Sequence, residues 1–286
     1  MVLSSSSSRY VFPENTTNHF TTQLPQNFYL HGEWCVGLAE IQIPLTFQHI
    51  SGKKKGEGVV CIKKTSRRAA YIDNNLRPEN DNDNDDDDDD DYETEEGEKT
   101  FSQIKCGVYR DIDTLLSEIN SLDSVKDHLE FKIQCGGYIQ VRCTCIEDEC
   151  ADYIHSFSLS EKLCGILGFE SGKLLSCDGK KESYIIGDRP ANLANGLPSV
   201  LMIYSSICRP YVTGDTCSRL LRAVPLQSHD YTYGRTQIQN FAPPMYLPLL
   251  SSSFQSIEID INDEQGESVP FDYGTLSVTL HFKRIY

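Results

Sequence analysis

The cleanest alternation of apolar and polar positions lies near the C-terminal end. In SIEIDI (256–261), Ile257, Ile259 and Ile261 alternate with polar residues, and in TLSVTLHF (275–282) Leu276, Val278, Leu280 and Phe282 do the same. A period of two predicts strands with one face turned to a core. FTTQL (20–24) reads as a further strand. In WCVGLAEIQI (34–43), Trp34, Val36 and Leu38 alternate with Cys35, Ala39, Ile41 and Ile43. Both faces are partly apolar, which predicts a central strand covered on each side and ended by Pro44. GVVCIK (58–63) is a candidate strand, while LEFKIQ (129–134) and YIQVRCTC (138–145) flank Cys135, Gly136 and Gly137 as a hairpin.

Helical spacing appears twice. Ile112, Leu115, Leu116, Ile119 and Leu122 predict a helix over 111–122, with Asp111 or Asp113 as its N-cap. A shorter one over 160–167 opens at Ser160 and closes at Gly168. About ten short strands with two helices in connections predict an all-β fold, a single jelly-roll β-sandwich. The Ser/Thr/Asn-rich residues 1–17 read as a flexible arm, 18–286 as the jelly-roll domain, and 51–100 as a charged insertion within it.

Charge sharpens that division. The formal net charge is −16, but residues 73–98 alone hold fifteen acids against one base, Arg77, leaving only −2 elsewhere. Seven consecutive aspartates at 85–91 repel one another beyond what burial can offset, so roughly 75–98 is expected to be disordered. Bulk acidity therefore says little about partners of the folded part. No run approaches the ~18 apolar residues that span a bilayer, and MVLSSSSSRY lacks a secretory h-region, which predicts a chain made and kept in cytosol or nucleus.

In that setting the eleven cysteines read as reduced thiols acting as small hydrophobes. Cys143, Cys145 and Cys150, with Cys135 or His155, lack the paired knuckles of a structural zinc site, so no metal or cofactor is expected. Asp260, Asn262 and Glu264 begin like a calcium loop, but Gln265 stands where the turn glycine belongs, and a hairpin turn is the better reading. His155 and Cys164 are close in sequence without a plausible oxyanion site, so no catalytic residue is assigned. Glu40 is a charge inside an apolar strand, either paired with an inward Arg or placed at an interface. Lys53, Lys54, Lys55, Lys63, Lys64, Arg67 and Arg68 admit three readings: a nuclear-import signal, phosphate contacts to packaged DNA, or a solvated loop neutralised by the acidic tract. No aromatic interleaving supports base stacking, so no direct sequence-specific nucleic-acid binding is expected.

HFTTQLPQNFYLHGEWCVGLAEIQIPLTF (19–47), SLSEKLCGILGF (158–169), RPANLANGLPSVLMIYSSI (189–207), GDTCSRLLRAVP (214–225) and the segment 241–284 together resemble the minor capsid (penton) proteins of Polinton/Maverick elements and their adintovirus and virophage relatives. The resemblance runs from about residue 19 to 284, with the charged insert most divergent. It implies a single jelly roll forming homopentamers at the fivefold vertices of an icosahedral capsid, beside a double-jelly-roll major capsid protein. It implies a structural role in the virion at the capsid vertex, no enzyme activity, no membrane contact, and synthesis in the host cytoplasm, with the nucleus as a candidate place of assembly. Trp34, Glu40, Pro44, Pro244, Tyr246, Pro248, His281 and Phe282 are the motif and interface candidates. The alternative is a jelly-roll binding module, host-adapted or recognising a receptor or glycan, without capsid assembly.

Overall fold

The computed structural model describes residues 1–51, 56–66, 98–144, 153–172, 175–177, 184–226 and 231–285. The chain opens with β1 (Val2–Ser4), β2 (His19–Tyr29) and β3 (Trp34–Pro44). Its middle supplies β4 (Val59–Ser66), β5 (Glu98–Gln103), α1 (Ile112–Asn120), α2 (Asp123–Lys126), β6 (Leu129–Ile133), β7 (Ile139–Cys143), β8 (Tyr153–Leu159), α3 (Glu161–Leu167), β9 (Leu175–Cys177), β10 (Tyr184–Ile186) and a 3₁₀ turn at Leu193–Gly196. It closes with β11 (Val200–Ser205), β12 (Tyr211–Thr213), β13 (Thr216–Ser218), β14 (Leu220–Pro225), β15 (Thr236–Asn240), β16 (Leu247–Pro248), β17 (Ser253–Asn262) and β18 (Ser277–Arg284).

These elements form two compact units, Met1–Gln48 with Leu197–Tyr286, and His49–Gly196. In the first, setting aside β16 and the β12–β13 hairpin, the strands pair as if one long hairpin had been rolled up. The outermost two pair (β1 with β18), then β2 with β17, β3 with β15, and β11 with β14, all antiparallel. Further ladders between β3 and β18 and between β11 and β17 complete two sheets, β1-β18-β3-β15 and β14-β11-β17-β2. Eight strands nested in this order are a jelly roll, as the alternation predicts. Phe20, Ile203, Ile257, Ile259 and Ile261 from one sheet meet Val36, Leu38, Val278 and Leu280 from the other in a core closed to solvent.

Two expectations change here. Opposite β18, Thr279 faces Glu40 but Leu280 faces Leu38, so Ala39 is an extra residue, a β-bulge. The bulge reverses the side-chain phase: Val36 and Leu38 before it, and Ile41 and Ile43 after it, all point into one core and are 0% exposed. What reads as a strand apolar on both faces is one apolar face with a phase slip. The N-terminal stretch is no free arm. Leu3 (1% exposed) and Ser5 (0%) are buried, Ser5 N–H donates to Leu276 O, and Leu276 N–H donates to Ser5 Oγ.

The second unit has its own core. Sheets β5-β4-β8-β9 and β10-β7-β6 contribute Val60, Ile62, Phe157, Phe131, Ile139 and Val141; α1 adds Leu115, Leu116 and Ile119, and α3 adds Leu163, Ile166 and Leu167. Phe157 packs edge-on against Phe131 (5.4 Å) and Phe169 (6.2 Å). Asp111 caps α1, accepting from Thr114 N–H at 2.8 Å, and Gly168 ends α3 with φ +81°, where a Cβ would lie 2.0 Å from Arg189 O. The sandwich is thus interrupted between its third and fourth strands by His49–Gly196, where the pattern predicts one domain with an insertion of only 51–100. Alternation identifies strands but not their partners, and it marks strands of either core alike. Of the tract expected to be disordered, 75–97 lies outside the described residues, and Glu98 opens β5.

Candidate functional site

After β15 the chain leaves β3, passes over the outer face of that strand, and returns to pair with it as β16. A Cβ on Gly37 would lie 2.6 Å from Met245 O and 2.9 Å from Pro244 Cβ, so the glycine admits this crossing. Tyr246 is thereby brought beside His281, which faces Gly37 from β18. The Tyr246 hydroxyl lies 2.8 Å from His281 Nδ1, the rings meet edge-on at 5.7 Å, and Lys283 Nζ stands 5.4 Å from the tyrosine ring centroid. Prolines 243, 244 and 248 suggest from sequence a connection crossing a subunit edge. In the structure Pro244 lies against the chain's own β3, and Pro248 pairs with Cys35 there and accepts from Arg209 N–H.

The remaining interface candidates fall into two other places. Trp34 and Phe282 close one end of the sandwich core: Phe282 stacks on Phe254 (5.9 Å), which stacks on Phe28 (5.9 Å), while Trp34 Nε1 donates to His31 O at 3.0 Å. Glu40 follows the bulge and belongs to the outer face, where Gln42 Nε2 donates to its carboxylate at 2.9 Å. Among the described residues no arginine forms an ion pair with Glu40. Pro44 is the last residue of β3, opposite Thr236, and Gly274 approaches it so closely that a Cβ would lie 2.6 Å from Pro44 Cβ.

Lys63 and Lys64 of the basic cluster sit in β4, which is paired to β5 on one side and β8 on the other. Neighbouring strand residues face opposite ways, and a linear import signal needs backbone free to be bound in extended form; here two ladders occupy it. Lys53, Lys54, Lys55, Arg67 and Arg68 lie outside the described residues.

The chemical candidates do not converge. Cys164 is buried in α3 and burial pushes its thiol upward, away from a nucleophilic thiolate; the His155 side chain lies outside the described residues. Cys143 is half-buried against the second core, and Cys145 and Cys150 lie outside the described residues. Among the described residues no three His, Cys, Asp or Glu side chains are gathered as metal ligands. Asp260 engages His19 (3.2 Å) and Asn262, whereas Glu264 accepts from Ser199 Oγ (2.9 Å). The calcium-like run is a turn, closed by Gly266 N–H to Asp263 O.

One surface feature escapes a reading based on motifs. The flank formed by edge strands β14 and β15 carries Arg222, whose guanidinium lies 3.8 Å from the Phe241 ring centroid. Arg222 Nη1 and Gln239 Oε1 there are buried without a hydrogen-bond partner among the described residues. The available signal is the run TQIQN (236–240), which has neither charge nor proline.

Neither protein-family models nor curated protein sequences match this chain. Among solved structures it is similar to the crystal structure of a selenomethionine-labelled mavirus penton protein, at 10% identity and a TM-score of 0.49, over 100% of this chain and 99% of the other. A likeness of that size decides nothing about what this chain does. No helix among the described residues is long and apolar enough to cross a membrane.

Proposed function

We propose that this chain is a structural minor capsid protein of the penton type, five copies of which form a ring at the vertices of an icosahedral shell. The reading rests on the family resemblance of its sequence blocks. One observation carries it further: those blocks fall in order on the sandwich and its inserted unit, at β2–β3, α3, β11, β14 and β16–β18. The strands they occupy nest as a jelly roll, the architecture that the resemblance implies. In this reading the partners are further copies of the chain and a double-jelly-roll major capsid protein, and the place of action is the virion. A ring of identical wedges needs heterologous contacts that close on rotation, one flank meeting the other flank of its neighbour. Its role is mechanical, without catalysis.

Negative-stain microscopy tests the proposal on the purified chain, alone and co-expressed with a double-jelly-roll major capsid protein of the same element. Class averages with fivefold symmetry are expected in at least the co-expressed sample. Rings of another symmetry, or none in either sample, overturn it.

A further inference from the structure

The four outer strands of the sandwich are not finished alike. An open strand edge presents unpaired N–H and C=O groups that template pairing with another chain, and folded proteins blunt such edges. β1 is only three residues long. Along β2, side chains occupy the edge: Thr21 N–H donates to Asn15 Oδ1 and Asn15 Nδ2 donates to Thr21 O, both at 2.9 Å. Gln23 N–H donates to Ser8 Oγ at 2.9 Å, and Pro25 has no N–H. β14 carries Arg222 and ends at Pro225. Among the described residues β15 has none of these devices.

The register shows which of its groups are open. Leu45 N–H donates to Arg235 O and Phe241 N–H donates to Ala39 O, one at each end of the ladder with β3. Odd-numbered residues of β15 therefore exchange hydrogen bonds with β3, and the even ones, Thr236, Ile238 and Asn240, turn their N–H and C=O outward. Among the described residues β15 pairs with β3 alone. Ile238, at its centre, is 58% exposed.

We propose that β15 is completed by β15 of a second copy, antiparallel about a twofold axis at Ile238. The occupant follows from the strand itself, because Thr-Gln-Ile-Gln-Asn reads nearly alike in both directions. With Ile238 opposite Ile238 and Thr236 opposite Asn240, each outward N–H finds an outward C=O. Gln237 then faces Gln239 of the other copy at a non-hydrogen-bonded position, with Cα atoms about 4.5 Å apart. No charge on β15 opposes the approach. The contact is isologous, so it joins copies in twos and cannot close a ring of five. It does not rest on the fivefold reading, and it serves to link free chains or one ring to another.

The test compares wild type with Ile238→Lys and Ile238→Cys. Ile238 is exposed, so lysine leaves the fold intact while placing like charges across the twofold axis. Sedimentation is expected to show even-numbered association of wild type, at least about tenfold weaker in Ile238→Lys. Oxidised Ile238→Cys is expected to give a 238–238 disulfide by mass spectrometry, because a hydrogen-bonded pair holds its Cα atoms about 5.5 Å apart, within disulfide reach. Association unchanged by lysine, no 238–238 linkage, or a wild type monomeric even at about 1 mM overturns the inference. Fivefold rings that persist in Ile238→Lys without the linkage would sink this contact and leave the ring standing; the linkage without rings would do the reverse.

Discussion

Gly37 and Met245 meet so closely that a Cβ on the glycine would lie 2.6 Å from the methionine carbonyl oxygen. The obstructing atom is backbone, held between two stretches that both pair with β3, and cannot swing aside as a side chain would. Gly37→Ala is therefore expected to destabilise the sandwich by about 1–3 kcal/mol, the range for overpacking a filled site. Urea denaturation of both proteins measures it. A variant as stable as wild type would mean that the 241–246 segment is not seated on β3.

His49 gives the second unit an acid-sensitive contact. It is 5% exposed, its Nδ1 accepts from Tyr109 N–H at 3.0 Å, and burial, helped by nearby Lys162, lowers its pKa from 6.5 to about 4. A depressed histidine pKa means that the unfolded chain takes up the proton first as pH falls. This contribution is whole above about pH 6.5 and drains away toward pH 4, on the order of 2–3 kcal/mol. His49→Asn keeps an acceptor without a titrating ring and is expected to flatten the slope of stability between those values. Parallel slopes in the two proteins would remove His49 as the cause.

Thiol reactivity should sort by burial. Cys208 is fully buried and burial pushes its pKa up to about 12; Cys35 and Cys164 are buried too, while Cys106, Cys135 and Cys217 are exposed. Alkylation at about pH 8 followed by peptide mass spectrometry should label the exposed three before Cys35 and Cys164, and Cys208 only on unfolding. Reductant and chelator should each leave the melting temperature unchanged. Early labelling of Cys208, or a drop with either reagent, contradicts this account.

The acidic tract connects two strands that already face each other at its ends, since Lys64 of β4 pairs with Glu98 of β5. Replacing residues 70–95 with a short Gly/Ser turn shortens the connection without breaking a rung, and closure entropy changes slowly with loop length. The melting temperature is expected to stay within a few degrees; a fall of more than ~10 °C would make the tract structural.

Excision probes the two-core organisation. A Cβ on Gly196 would lie 3.3 Å from His49 O, so the two ends of the inserted unit meet. Joining Gln48 to Leu197 through a short glycine-rich linker is expected to leave a cooperatively folding sandwich, and 49–196 is expected to fold alone. Circular dichroism melts of the two pieces decide it, and a piece without a cooperative transition counts against a separate core.

Local periodicity reached as far as its physics allows. β17 and β18 were legible because a strand with one face in a core must alternate, and α1 because Leu115, Leu116 and Ile119 share a helix face behind an Asp111 cap. Gly168 could be marked as a helix stop because its positive φ suits glycine alone, wherever the helix packs. Sequence also set Trp34, Tyr246, His281 and Phe282 apart, but not that Tyr246 bonds His281 on an outer face while Phe282 stacks on Phe254 at the core's end. Those are contacts between distant segments, and the identity of a residue does not state its partner. The same holds for β1, whose three residues become a strand only because β18 accepts them, and for the phase slip at Ala39, which needs β18 opposite to appear. It holds above all for the edge of β15: TQIQN is visible in the chain, but that its outer side goes unpaired depends on which strands the other ladders have already taken. Side-chain periodicity is a property of one strand, whereas pairing, burial and open edges are properties of several, and only the folded chain brings those together.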